Sequence, residues 1–202
     1  MVFDNTNESK FYHNATEQRY YTLSDEDNLN TLQGYVYRSA DEQTVEFVGA
    51  LNNGVYQNDN LVRVGISNSF SGYNLVSNPY PSFIDWKGVI KTNLESSMWY
   101  RTHNGTNNVF DTYNATSEIG TNNNGSGAVT EFIPPMQGFW VRVNSDENTG
   151  GIALNNSLRS HQSGILRTPQ TKDVFRFLIK KDKNSQKINS IDCIILYFCK
   201  KV

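Results

Sequence analysis

Prolines two residues apart inside an aromatic stretch leave a chain few options. Residues 72–86 read G-Y-N-L-V-S-N-P-Y-P-S-F-I-D-W. Pro79 and Pro81 fix two φ angles and remove two backbone donors. Each also drives the residue before it, Asn78 and Tyr80, towards extended geometry. No helix runs through such a segment. It reads as a strand from Tyr73 to Val76 that breaks into a corner, with Tyr73, Tyr80, Phe83 and Trp86 in or beside the break. That much aromatic surface has to be packed against something. Asn78, Pro79, Tyr80, Pro81, Asp85 and Trp86 are therefore expected to form a structural corner.

A second stretch has the same layout. In Phe132-Ile133-Pro134-Pro135-Met136-Gln137-Gly138-Phe139-Trp140-Val141-Arg142-Val143, two prolines end one extended segment. Gly138 then admits a bend or bulge, Gln137 and Gly138 being counted with the structural corner residues, and a strand resumes. Phe139, Val141 and Val143 share one face of it, and Trp140 and Arg142 share the other.

The rest of the chain is punctuated in the same β-like manner. With 26 Asn, 18 Ser, 15 Thr and 14 Gly in 202 residues, turns and polar loops are frequent. The apolar residues come as short runs of strand formers. Phe11-Tyr12, 19–23, 33–38, 44–49, Val55-Tyr56, 61–64, 97–102, 109–113, 152–154, 173–179 and 191–198 each read as a strand. Residues 87–95 are expected to form a short helix with Val89, Ile90 and Leu94 on its apolar side, and residues 114–128 a long surface loop. The fold class is all-β: an antiparallel β-sandwich, a jelly roll being one form of it. Residues 1–32 form a polar N-terminal segment packing on a sandwich built from 33–199.

Charge and cysteine usage exclude several classes. The net charge of -2 gives no global attraction for nucleic acid. Residues 172–202 carry eight Lys/Arg against three Asp, a net of +5, leaving -7 for the remainder; a basic tail of this kind reads as a solvated strand edge. Cys193 and Cys199 on one strand would lie roughly 20 Å apart, beyond disulfide reach. No apolar run approaches the ~20 residues of a membrane span, and residues 1–5 lack the pattern of a signal peptide. Alone, that start implies a cytosolic protein or a fragment of a longer secreted one.

No constellation for catalysis or a cofactor emerges. His13, His103 and His161 are scattered without metal partners at ligand spacing. The acidic run at 24–28, including Asp25 and Asp27, offers oxygen ligands for calcium but lacks the Gly and distal Glu of an EF-hand loop, so no metal site is assigned. Asp85 beside Trp86 is the carboxylate best placed for general-acid work, with a backbone-bonding structural role as the plainer reading. Trp99, Tyr100, Tyr113 and Trp140 are the candidate ligand-binding residues, as an exposed platform for sugar rings; core packing is the competing reading. Six N-x-S/T sequons, at Asn7, Asn14, Asn104, Asn114, Asn124 and Asn155, carry no inference in a chain this rich in Asn and Thr.

Four stretches in order, Gly34–Val36, Val45–Gly54, Gly72–Trp86 and Ile133–Val141, resemble a module found near the C-termini of large secreted proteins of Bacteroidota. Its pattern is close to G-W-N-L-V-G-N-P-Y-P-S-A-I-D-W followed by I-P-x-x-Q-G-F-x-V. The resemblance covers roughly residues 30–180. It implies an extracellular or cell-surface location and neighbouring domains in a larger chain. It implies a role as structural spacer or adhesion domain, with carbohydrate binding as the alternative and a hydrolase fragment a more distant one. Expected partners are a glycan or host or cell-surface polymer; no catalytic residues or cofactors carry over. Ser77 departs from the glycine of the pattern. The C-terminal strands depart too, and the type IX secretion sorting domain that usually follows is absent, which reads as a truncated or divergent copy.

Overall fold

The computed structural model describes residues 9–24, 27, 29–38, 51–65, 69–104, 106–123, 129–162 and 195–198. The fold is all-β, antiparallel sheets layered as a sandwich, as the strand pattern implies. A five-stranded sheet at its centre has the order β10-β9-β8-β12-β5. These strands are β5 (Tyr73–Ser77), β8 (Ser97–His103), β9 (Asn108–Asn114), β10 (Ile119–Thr121) and β12 (Gly138–Arg142). Two three-stranded sheets lie against its inner face. One joins β4 (Tyr56–Val62), β7 (Ile90–Thr92) and β13 (Thr149–Leu154); the other joins β6 (Phe83–Asp85), β11 (Phe132–Ile133) and β14 (Arg159–Ser160).

The core fills the space between them. Val76, Phe139, Val141, Met98, Tyr100 and Tyr113 project inward from the five-stranded sheet. They meet Ile84, Ile133, Leu61, Ile152 and Leu154 from the smaller sheets, with Trp86 fully buried among them.

A four-stranded sheet, ordered β15-β3-β1-β2, crosses the outer face of the central one. It consists of β1 (Ser9–Asn14), β2 (Arg19–Thr22), β3 (Gly34–Arg38) and β15 (Ile195–Phe198). β1 pairs with β3 and β2 with β1, so the described N-terminal strands extend this sheet. The approach is close: a Cβ on Gly34 would lie 2.7 Å from the Val76 carbonyl oxygen and 2.6 Å from Leu75 Cγ, so only glycine fits. The backbone N–H of Ser77 donates to Leu32 O (3.1 Å) and its hydroxyl to Gln33 O (3.1 Å). Serine is accommodated there because the position is an ordinary strand residue that needs no left-handed backbone. β1 runs antiparallel to β3 (Ser9 opposite Arg38) and β15 runs parallel to it (Phe198 opposite Tyr37). The start of β1 and the end of β15 therefore lie at one end of this sheet, on either side of β3.

Several expectations are corrected. Residues 87–95 are not helical. Asp85 Oδ1 accepts the Lys87 N–H (2.8 Å), a tight turn follows, and β7 succeeds it, ended by Asn93 at φ 54°. Val89 and Leu94 do enter the core, but Ile90 is 57% exposed, as strand alternation rather than a helix face would have it. Tyr56–Val62 form one strand, β4, where two were expected at 55–56 and 61–64. The 114–128 loop contains a hairpin turn and β10 paired to β9. The bend before β12 falls on Met136, at φ 58°, one residue before the Gln137-Gly138 pair. The expected strands at 44–49 and 173–179 lie outside the described residues, as does the start of the one at 191–198.

Candidate functional site

The two proline corners are laced together by one side chain. Asn78 follows β5 and is fully buried. Its Nδ2 donates to Ser82 O (2.8 Å) across its own corner, and to Pro134 O (2.8 Å) and Ile133 O (3.2 Å) in the other. Its Oδ1 accepts the Tyr80 N–H (3.0 Å), and its backbone N–H donates to Gln137 O (3.1 Å). The Gln137 N–H donates in turn to Pro134 O (3.3 Å), and its Nε2 to Gly138 O (3.0 Å). Prolines remove donors and leave carbonyls behind; a buried amide supplies what those carbonyls need.

Tyr80 anchors the other side of the corner. Its hydroxyl donates to Gly54 O (2.7 Å), while Asn52 Nδ2 donates to Pro79 O (2.9 Å). The ring stands edge-on to Tyr56 at 5.6 Å, under the guanidinium of Arg159 at 5.7 Å. Trp86 closes the segment. Its indole N–H donates to Ser96 O (2.8 Å), its ring meets Phe139 edge-on at 5.7 Å, and the Lys91 ammonium sits 4.2 Å from its centroid. Lys91 also donates to Trp86 O (2.7 Å) and Val89 O (2.9 Å).

The four candidate sugar-binding residues do not form an exposed platform. Tyr100, Tyr113 and Trp140 are buried at 1%, 3% and 7% exposure. Tyr100 and Tyr113 point into the core from the inner face. Trp140 points outward but is capped by His13, whose ring stands edge-on at 4.9 Å. Only Trp99 remains half-buried on the outer face, opposite Trp140 on one side and Thr112 on the other. Its neighbour is Tyr73, edge-on at 5.2 Å and 74°, so the two rings are not coplanar. Tyr73 in turn carries the Arg142 guanidinium at 4.9 Å. Sequence reasoning placed Arg142 on the face of Trp140 and missed Tyr73, Arg101 and Phe110 as members of it. Period-2 alternation along β8 and β9 was the signal that would have separated Trp99 from Tyr100 and grouped it with them.

A family profile described as a domain of unknown function, DUF8693, matches residues 1–190. The chain belongs to the DUF8693 family. No curated protein and no solved structure matches it. The DUF8693 match spans both proline corners and the whole outer face.

The electrostatics of the DUF8693 corner region are those of buried hydrogen-bonding groups. Burial pushes the Tyr80 hydroxyl up to about 12, with Tyr56 adding to the shift and Arg159 opposing it, so Tyr80 stays a neutral donor. Burial pulls the Lys91 ammonium down to about 8 against the attraction of Asp85. Burial likewise lowers His13 to about 4, keeping the imidazole against Trp140 neutral at physiological pH. Asp85 holds its own turn rather than the N-P-Y-P corner. Asp27 accepts the Ser24 N–H (2.7 Å), while Asp25 and Glu26 lie outside the described residues. Among the described residues no group of His, Cys, Asp and Glu converges as a metal site, and no helix is long and apolar enough to cross a membrane.

Proposed function

We propose that this chain is a non-catalytic module of an exported, cell-surface protein, acting as structural spacer or adhesion domain alongside neighbouring domains. The observation that supports this is the use made of its most distinctive residues. Asn78, Tyr80, Trp86 and Gln137 all turn their polar groups onto the chain's own carbonyls, which is what a corner built for rigidity needs. The resemblance to the Bacteroidota module points to the same role and location. Protease shaving of intact cells that make the protein, followed by immunoblotting, tests it. Loss of the band from intact cells is expected; a band that survives until lysis would overturn the surface assignment.

Carbohydrate binding is the second reading, favoured by one observation: Trp99 stays half-buried on the outer face, beside the part that the four-stranded sheet covers at Trp140. It is carried by Trp99 with Tyr73, not by the four-residue platform.

A further inference from the structure

We propose that the part of the outer face around Trp99, beside the four-stranded sheet, binds an acidic polysaccharide, a uronate ring lying against Trp99 with its carboxylate held by an arginine. The inference rests on the carbohydrate reading and narrows it to a ligand class.

Trp99 and Trp140 are cross-strand partners on one face. His13 covers Trp140, and Trp99 beside it stays half-buried, so Trp99 lies at the foot of a step one sheet-layer high, about 10 Å. Alternation along β8 puts Arg101 on the same face, two residues on, with Phe110 opposite it and 42% exposed. Arg142 occupies the face on the other side of Trp99 and lies over Tyr73. Tyr73, edge-on to the indole, fixes the plane against which a ring would rest.

Charge complementarity selects the occupant. The described residues that β5, β8, β9 and β12 turn to this face include two arginines and no carboxylate. Glu95, at the margin, pairs with Arg142 at 3.5 Å. Arg101 has no ion-pair partner among the described residues. Arg142 also donates to Ser71 O (3.0 Å) and Ser69 O (3.3 Å), so Arg101 is the cation of this face left for a ligand beside a half-buried indole. A pyranose offers an apolar C–H face to an aromatic ring, and a uronate adds one carboxylate per residue for the planar guanidinium fork. Nucleic acid also stacks on aromatics, but its backbone is tracked by a positively charged groove, and one of the two arginines on this face is paired with Glu95.

The test uses the full chain with polygalacturonate, neutral dextran of similar length and a single-stranded oligonucleotide as titrants at low salt. Polygalacturonate is expected to bind, to weaken as salt rises, and to exceed dextran by at least about tenfold, the scale of one charge-assisted contact. Arg101→Gln should lose that margin with an unchanged melting temperature, and Trp99→Ala should lose binding to both polymers. No binding of polygalacturonate, or binding unaltered in a folded Arg101→Gln and a folded Trp99→Ala, overturns the proposal. Equal binding of dextran overturns the acidic ligand while leaving the carbohydrate reading standing. Tighter binding of the oligonucleotide overturns both.

Discussion

At the scale of the residue, Asn78 has more hydrogen-bonding work than any other side chain in the two corners. Replacing it by alanine strands three carbonyls and the Tyr80 N–H inside the fold. Unmade buried hydrogen bonds cost about 1–3 kcal/mol each before relaxation, so Asn78→Ala should destabilise by roughly 2–4 kcal/mol in chemical denaturation. Asn78→Asp is the sharper comparison. It keeps the shape but turns a carboxylate towards carbonyl oxygens, and it should be at least as harmful; a mild effect would remove Nδ2 from the account. Trp86→Ala should cost about 3–5 kcal/mol, as for a core aromatic. His13 sets a pH dependence. Its folded value, about 4, lies below the ordinary 6.5, so between those values the unfolded chain binds more protons. Stability should therefore fall as pH drops from about 6.5 towards 4. His13→Phe should flatten that part of a plot of melting temperature against pH; an unchanged slope would assign the dependence to other groups.

At the scale of the element, the sequons acquire a structural meaning. In Asn14, Asn104, Asn114 and Asn155 the side-chain oxygen accepts the N–H of the Thr or Ser two residues on, at 2.8–3.1 Å. Asn7 and Asn124 lie outside the described residues. N-x-S/T is here the spelling of an Asx turn. Two of these turns are built alike: Asn14 to Gln18 joins β1 to β2, and Asn114 to Glu118 joins β9 to β10, each ending on a residue with φ near 58°. Asn114→Ala should cost about 1 kcal/mol, read as a shift in the denaturation midpoint at constant slope. The strand that follows is more exacting. A Cβ on Gly120 would lie 1.9 Å from the Val129 carbonyl oxygen, so Gly120→Ala must displace backbone and should cost more than Asn114→Ala. Equal losses would mean that this loop moves freely. The same elements show where sequence reading works. Runs such as 97–102 and 109–113 announce a hairpin through alternation and a turn between them. Residues 87–95 mislead because Val89, Ile90 and Leu94 fit a helical face as well as a strand. The deciding event, a side-chain cap on the Lys87 N–H, is one local hydrogen bond.

At the scale of the whole molecule, the class of fold was legible and the stacking of its sheets was not. Proline corners and short alternating runs exclude helix locally, which is enough for an all-β assignment. Which face of the central sheet the N-terminal strands cover depends on contacts far apart in sequence, such as Gly34 against Leu75 and His13 against Trp140. Those contacts explain why Trp140 was misread: it has the right orientation and is capped, while Trp99 beside it stays half-buried.

The placement of β1 and β15 beside β3 sets how this fold would respond to a mechanical pull. Ser9 and Phe198 flank Arg38 and Tyr37, two strand spacings apart, roughly 10 Å. A pull applied at these two points acts across the strands and not along them. The ladder then opens one hydrogen bond at a time, as a zipper does, instead of resisting in shear all at once. Within a longer polypeptide the domain would hang from the line of tension as a pendant, and it would peel open from β1 or β15 while its aromatic core was still intact.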